Sequence, residues 1–191
     1  MSLKARQRIF KRIMDLILAT LGLMFTLPML LFLFIITSLD TGSLGLMGQV
    51  RIGMNAKPFK LYKFKTMKDT SEQSDFITIA NDPRITTFGS FLRRTKLDEL
   101  PQLTNVLIGD MSLVGPRPDV PGYADQLQGE DRIILSVRPG ITGPASLAFR
   151  NEEEILAQQK HPKKYNDEVI WPKKVKINKA YVKYCSFKKD L

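Results

Sequence analysis

Two adjacent carboxylates, Asp98 and Glu99, follow closely on three bases, Arg93, Arg94 and Lys96. They lie in GSFLRRTKLDELPQLTNVLIG, from Gly89 to Gly109, where Phe91, Leu92, Leu97, Leu100, Leu103, Val106 and Leu107 recur at helical spacing. A proline is tolerated in the first turn of a helix, where backbone donors lack partners. Pro101 therefore predicts a helix start near Leu97 or Asp98, and Gly109 closes it. That puts the two acids at a helix N-terminus, where anions are favoured. Two chemistries are open there: plain capping and surface charge, or a nucleophilic or metal-binding carboxylate pair in a phosphate-attracting field.

Two further arginines sit in stiff turns. Asp110-Met-Ser-Leu-Val-Gly-Pro-Arg-Pro reads as a buried strand ending at a turn in which Pro116 and Pro118 restrict the backbone around Arg117. Arg138-Pro-Gly-Ile-Thr-Gly-Pro repeats the device with Arg138. One rigid arginine turn is commonplace, whereas two near an acid pair suggest phosphate clamps.

The elements that must hold these groups fall into two unlike parts. The chain has 191 residues, 43% hydrophobic and 25% charged, with 29 Lys and Arg against 19 Asp and Glu. That suits one modest domain with a real core and argues against disorder. A single Cys185 excludes a disulfide scaffold, and His161 alone cannot supply a Cys/His metal site. No strict GxGxxG or P-loop is present, and neither GxSxG nor HExxH occurs. Pro58 to Lys65 alternates apolar and basic residues as a half-buried strand does, offering either a solvated lysine face or a basic strand facing phosphate or lipid headgroups, while Gly42, Gly45, Gly48 and Gly53 mark a turn-rich connection before it. From Lys160 on, ten lysines and no arginine suggest attraction to anionic headgroups or a solvated surface. Trp171, Tyr181 and Tyr184 mark interface depth or core.

The other part is an uncharged run of 24 residues from Leu16 to Leu39. A helix of that length is able to cross a bilayer. Pro28 stands in its middle, which predicts a kink and two short arms, Leu16 to Leu27 and Met29 to Leu39. Both flanks are basic: Lys4, Arg6, Arg8, Lys11 and Arg12 before the run, and Arg51, Lys57, Lys60, Lys63, Lys65 and Lys68 against Asp40 and Asp69 after it. Positive charge marks the cytoplasmic side, so a helix that enters and leaves by one face satisfies both flanks. Backbone freed at the break then needs burial or a polar partner such as Thr26 or Ser38.

Several motifs together resemble the bacterial sugar transferases, the monotopic phosphoglycosyl transferases. They are Lys11-Arg12-x-x-Asp15, Gln49-Val-Arg-Ile-Gly, Tyr62-Lys-Phe-Lys-Thr-Met, Arg84-Ile-Thr-x-Phe-Gly, Leu97-Asp-Glu-Leu-Pro-Gln-Leu, Gly109-Asp-Met-Ser-Leu-Val-Gly-Pro-Arg-Pro and Arg138-Pro-Gly-Ile-Thr-Gly. They run in order from about Lys11 to Gly143. The resemblance implies transfer of a phosphosugar from a UDP-sugar to polyprenyl phosphate at the cytoplasmic face of the bacterial inner membrane, with release of UMP. It implies an N-acetylated amino or deoxyamino sugar, Mg²⁺ as cofactor, and Asp98 as a nucleophile that forms an acyl-phosphate intermediate. Glu99 would serve as metal ligand, base or orienter. Arg93, Arg117 and Arg138 would bind phosphate oxygens, with Lys65 a weaker candidate. Asp98 and Glu99 would hold the metal, and a homodimer is allowed.

The expected fold is α+β: a Pro28-broken re-entrant helix over residues 1–39, and a small, basic, helix-rich catalytic domain with short strands over 40–191, the two forming one unit. Three departures from the family pattern stand out. Leu27 precedes Pro28 where many relatives carry Ser, Pro144-Ala145-Ser146 replaces the usual Trp-Ala-Gln, and the chain ends soon after Phe187-Lys-Lys-Asp. A different class, a membrane-anchored non-enzymatic protein binding anionic lipid or nucleic acid, would also be basic. Nucleic acid would call for aromatic-basic stacking platforms, which the sequence lacks.

Overall fold

The computed structural model describes residues 5–68 and 82–184. Lys4, Asp69, Cys185, Asp190 and the Phe187-Lys-Lys-Asp segment lie outside the described residues. The first element, α1 (Ala5–Thr41), is a helix of 37 residues with Pro28 inside it. The two expected arms, Leu16 to Leu27 and Met29 to Leu39, thus belong to one helical element that runs through Pro28. A proline deletes a single hydrogen bond, and the bonds of the flanking turns can carry the helix past it. The expected hydroxyl partners of the backbone at Pro28 bond elsewhere. Thr26 Oγ1 donates to the Gly22 carbonyl (2.7 Å) and Ser38 Oγ to that of Phe34 (2.7 Å), each simply one turn back.

α1 is apolar enough to cross a membrane, yet only 11% of its most apolar window is buried against protein. Ile17, Leu21, Met24, Phe25, Phe32 and Leu39 all stand exposed. The opposite side joins the rest of the chain at both ends. Near its start, Arg12 donates to the Val106 (2.6 Å) and Leu107 (3.0 Å) carbonyls, and Asp15 Oδ1 accepts from the Leu113 amide (3.1 Å). Ala19 enters a core with Leu61, Val106 and Met111. Toward its end, Leu33 packs with Phe64 and Leu92, and the Gly45 amide donates to Ser38 Oγ (2.9 Å).

Next come β1 (Leu46–Ile52) and β2 (Pro58–Phe64), an antiparallel pair with Gln49 opposite Leu61 and Arg51 opposite Phe59. The strand expected at Pro58 is present. The turn-rich connection is narrower than expected, because Gly48 lies inside β1, where ladder pairing with Tyr62 outweighs the weak strand preference of glycine. α2 (Thr87–Thr95) is capped by Thr86, whose Oγ1 accepts from the Gly89 amide at 2.8 Å. It ends at Lys96 in left-handed conformation (φ 58°). A 3-10 turn, Leu97–Glu99, leads through Pro101 into α3 (Gln102–Ile108), which Gly109 closes at φ 104°. The expected helix start is thus a tight turn with a helix behind it.

The two proline-bracketed turns dock on one another. β3 (Ser112–Val114) and β4 (Gly140–Thr142) pair in parallel, Ser112 with Gly140 and Val114 with Thr142. The approach demands glycine: a Cβ on Gly140 would lie 2.1 Å from the Gly115 nitrogen, and one on Gly143 would lie 2.1 Å from the Gly115 oxygen. The remainder is helical: α4 (Pro144–Ala148), α5 (Glu152–Ala157), α6 (Pro162–Tyr165) and α7 (Trp171–Tyr184), with a wider π-type turn over Asn166–Ile170. Trp171 packs edge-on against Tyr123 and beside the Ile52, Ala124, Ile134 and Leu135 core. Part of the lysine-rich tail is engaged internally, Lys174 with Glu152 (2.5 Å) and Lys179 with Glu130 and Asp131 (2.9 Å each). Those two lysines are held by acids of the same chain.

Candidate active site

Asp98 sits in the 3-10 turn that links α2 to α3, and the left-handed Lys96 before it sets the sharp entry. The residue is 7% exposed, and its Oδ1 is buried without a hydrogen-bond partner. Burial, with the charge of Glu99 beside it, pushes its carboxyl up to about 6, and the fields of Arg93, Lys63 and Lys96 oppose that rise only in part. Glu99 has the opposite fate. Burial works to raise its carboxyl as well, but Arg117 outweighs this and holds it below the usual glutamate range. Both its oxygens are gripped, Oε2 by Arg117 Nη1 and Oε1 by Nη2, at 2.8 Å each. The docked turns aim this arginine, which also donates from Nη1 to the Ile141 carbonyl (3.2 Å). One acid of the pair is neutralised by a fixed cation; the other is left unpaired.

The remaining candidates have separate partners. Arg93, in the last turn of α2, pairs with Glu153 of α5 and also acts on Asp98 through its charge. Lys65 donates to Ser43 Oγ at 2.7 Å. Arg138 donates from Nε to the Gly109 carbonyl at 2.7 Å, so the contact it makes is at the end of α3 remote from Asp98. The expected twin clamps are thus one paired ladder whose arginines serve opposite ends of α3. Pro144-Ala145-Ser146, the departure from the family pattern, opens α4, with Ala145 buried and Ser146 Oγ buried without a partner.

Two cations at the site, Lys63 and Arg51, were not singled out from the sequence, although the basic strand that carries Lys63 was read as one that could face phosphate, and strand periodicity held the signal. Along β2, Phe59, Leu61 and Lys63 point to one side, and register puts Arg51, Gln49 and Met47 beside them. Phe59 and Leu61 belong to the core, so a lysine and an arginine on that side are conspicuous. Burial lowers Lys63 to about 8, helped by Arg51, Arg93 and Arg117, while Asp98 pulls the other way. Burial and Arg117 likewise bring Arg51 to about 10. Arg51 Nη2 donates to Gln49 Oε1 (2.8 Å), and its Nε is buried without a partner. Asp119, just past the Pro-bracketed turn, is raised to about 6 by burial despite Lys174 and Arg51. Cations crowded closely enough to depress one another form a natural seat for anions.

Arg12 and Asp15 also have a place that spacing alone did not reveal. Arg12 caps the C-terminal carbonyls of α3 while Asp15 takes the amide of Leu113 in β3, so α1 fixes both elements that flank the Asp110 turn.

The donor set bears on a metal. Among the described residues no group of three or more His, Cys, Asp or Glu gathers. The unpaired Asp98 offers carboxylate oxygens, whereas those of Glu99 are held by Arg117. Magnesium commonly takes one or two carboxylates and completes its shell with substrate phosphate and water, and this set fits that shared arrangement rather than an all-protein cage.

A family model described as bacterial sugar transferase matches residues 6–191. A Bacillus subtilis protein provisionally named undecaprenyl-phosphate N-acetylgalactosaminyl 1-phosphate transferase is 46% identical over 66% of this chain and 71% of its own. The Escherichia coli UDP-glucose:undecaprenyl-phosphate glucose-1-phosphate transferase is 40% identical over 85% of this chain and 35% of its own. A Salmonella typhimurium undecaprenyl-phosphate galactose phosphotransferase is 36% identical over 78% of this chain and 34% of its own. The chain thus spans about a third of the length of the last two. The three names differ in the sugar and agree on the lipid acceptor.

Proposed function

The chain belongs to the bacterial sugar transferase family, and on that premise we propose that it moves a sugar-1-phosphate from a UDP-sugar to polyprenyl phosphate and releases UMP. The carrying observation is the contrast within the acid pair: Asp98 unpaired and buried among cations, Glu99 locked to Arg117. An oxygen of Asp98 attacks the phosphorus attached to the sugar. The new Asp98–phosphorus bond forms as the bond to the UMP oxygen breaks, and UMP leaves with that electron pair. An oxygen of the polyprenyl phosphate then attacks the same phosphorus and frees the Asp98 carboxylate. Lys63, Arg93 and Arg117, with Arg51 behind them, neutralise the phosphate oxygens. Magnesium, when bound by Asp98 and the substrate phosphates, supplies further charge neutralisation. Arg117 fixes Glu99, which in turn keeps the adjoining turn, and Asp98 with it, in place.

The same reading puts the protein on one face of a membrane. Both halves of α1 are tied to one basic domain, Arg12 to α3 and Leu33 to Phe64 and Leu92, while many residues between them expose apolar side chains. A straight span would carry one of those halves to the far side, so the two ties support a helix that dips in and returns by the cytoplasmic face of the inner membrane. The deciding experiment is UMP release from a panel of UDP-sugars with polyprenyl phosphate, run on the parent and on Asp98→Asn. The parent releases UMP with at least one sugar and the variant with none; equal release by both would remove Asp98 from the reaction.

A further inference from the structure

From Leu97 to Ile108 the buried residues are Asp98, Pro101, Gln102, Asn105 and Val106, the spacing of a single helical face. The outer member of this polar row is well satisfied. Asn105 Nδ2 donates to the Lys60 carbonyl (2.7 Å), and its Oδ1 accepts from the Tyr62 amide (3.0 Å), so α3 is hydrogen-bonded to β2 through one side chain. Gln102, a turn closer to Asp98, is different. It is 0% exposed, and neither Nε2 nor Oε1 has a hydrogen-bond partner. A turn further on, Asp98 Oδ1 is sealed and unpartnered too.

A fully enclosed amide with neither end satisfied is a defect that proteins seldom keep without use, since Leu or Met fills the same volume at no such cost. The two orphans are also complementary. A carboxylate only accepts hydrogen bonds, and the amide offers two donors. The nearby cations reach Asp98 through their fields, and the bonds made by Arg93 and Arg117 go to Glu153 and Glu99.

We infer that Gln102 is the positioning residue for Asp98, its Nε2–H donating to Oδ1 of the carboxylate, directly or through one water. Oδ1 is then fixed as the carbonyl oxygen, and Oδ2 is left to form the bond to phosphorus. When the P–O bond to UMP breaks, the same N–H remains on the carbonyl oxygen of the acyl phosphate. The inference rests on the reading of Asp98 as nucleophile.

The test compares the full chain in lipid nanodiscs as parent, Asp98→Asn, Gln102→Met and Gln102→Leu, reading UMP release and thermal unfolding together. Losing only orientation, Gln102→Met keeps the parent KM for UDP-sugar and loses kcat by about 10- to 100-fold. Its Tm holds or rises, because an unsatisfied amide has been replaced by apolar atoms. A merely structural amide would show the opposite, a lower Tm with kcat per folded molecule intact. Parental kcat in Gln102→Met overturns the inference, as does a fall in Tm that accounts for the lost activity. Should Gln102→Met not fold, Gln102→Leu is read by the same criteria, and failure of both to fold makes the amide structural and overturns it as well. Asp98→Asn separates the two levels: if it still turns over at the parent rate, the nucleophile reading fails, whereas a dead Asp98→Asn beside a parental Gln102→Met defeats the role of Gln102 alone.

Discussion

Arg117 holds Glu99 by two parallel hydrogen bonds, Nη1 to Oε2 and Nη2 to Oε1, both at 2.8 Å. The arginine is borne by a turn that two prolines stiffen and three glycines press against β4. The pair is therefore a rigid strut between the 3-10 turn of the acids and the β3–β4 ladder. A fork is essential for it, because lysine keeps the charge but offers a single nitrogen in place of two parallel, planar donors.

Arg117→Lys and Glu99→Gln each leave the protein folded and lower kcat for UMP release by about 10- to 100-fold. The double variant loses little more than the worse single one, since both changes break the same strut. A double-mutant cycle in kcat checks this, and strictly additive losses would mean that the two residues act independently.

An attacking carboxylate must be ionised. With Asp98 near 6, UMP release falls on the acid side, by about tenfold for each unit below that point. A pH profile of kcat/KM reads the limb directly, and a limb near the ordinary aspartate range would deny the burial effect.

The same burial makes Asp98 costly to stability. A carboxyl raised in the folded state favours folding fully below its unfolded pKa, and that contribution is lost as pH rises through the folded value. Moving from 3.8 to about 6 corresponds to roughly 3 kcal/mol at most once Asp98 is ionised. Asp98→Asn therefore unfolds at higher denaturant than the parent at about pH 8, and the gap narrows toward about pH 4. Denaturant titrations at the two pH values test it, and a gap independent of pH would sink the idea.

Arg12 is a helix cap brought from a distant part of the chain. Arg12→Ala frees the Val106 and Leu107 carbonyls and costs about 1–3 kcal/mol. Arg12→Lys recovers part of that loss, having one nitrogen in place of two. Thermal unfolding in nanodiscs measures both.

Topology has its own measurement. With Cys185→Ser as background, Arg6→Cys and Lys68→Cys lie on opposite sides of the apolar run and are both exposed. A membrane-impermeant thiol reagent applied to the cytoplasmic face modifies both if α1 re-enters. Modification of one alone means a span.

Sequence by itself determined the pieces whose causes are local. The uncharged run from Leu16 to Leu39 makes a helix of any topology, alternation makes β2 a strand, and Gly109 ends α3 because its φ of 104° suits glycine best. The acid pair was equally plain, since Asp98 and Glu99 are adjacent and flanked by bases. What it could not assign was which acid is free, because that depends on Arg117, which comes 18 residues after Glu99 and arrives through the β3–β4 pairing. The placement of Lys63 and Arg51 at the site was hidden in the same way. Their inward side is set by antiparallel register, and their charge becomes notable only against Phe59 and Leu61. Pro28 was read as a kink because proline forbids one local bond, and what the chain alone could not show is that both halves of α1 join the same domain, through Arg12 and through Leu33. Spacing along the chain fixes backbone habit, but partnership among charges is a property of three-dimensional neighbours, and only the tertiary structure chooses those.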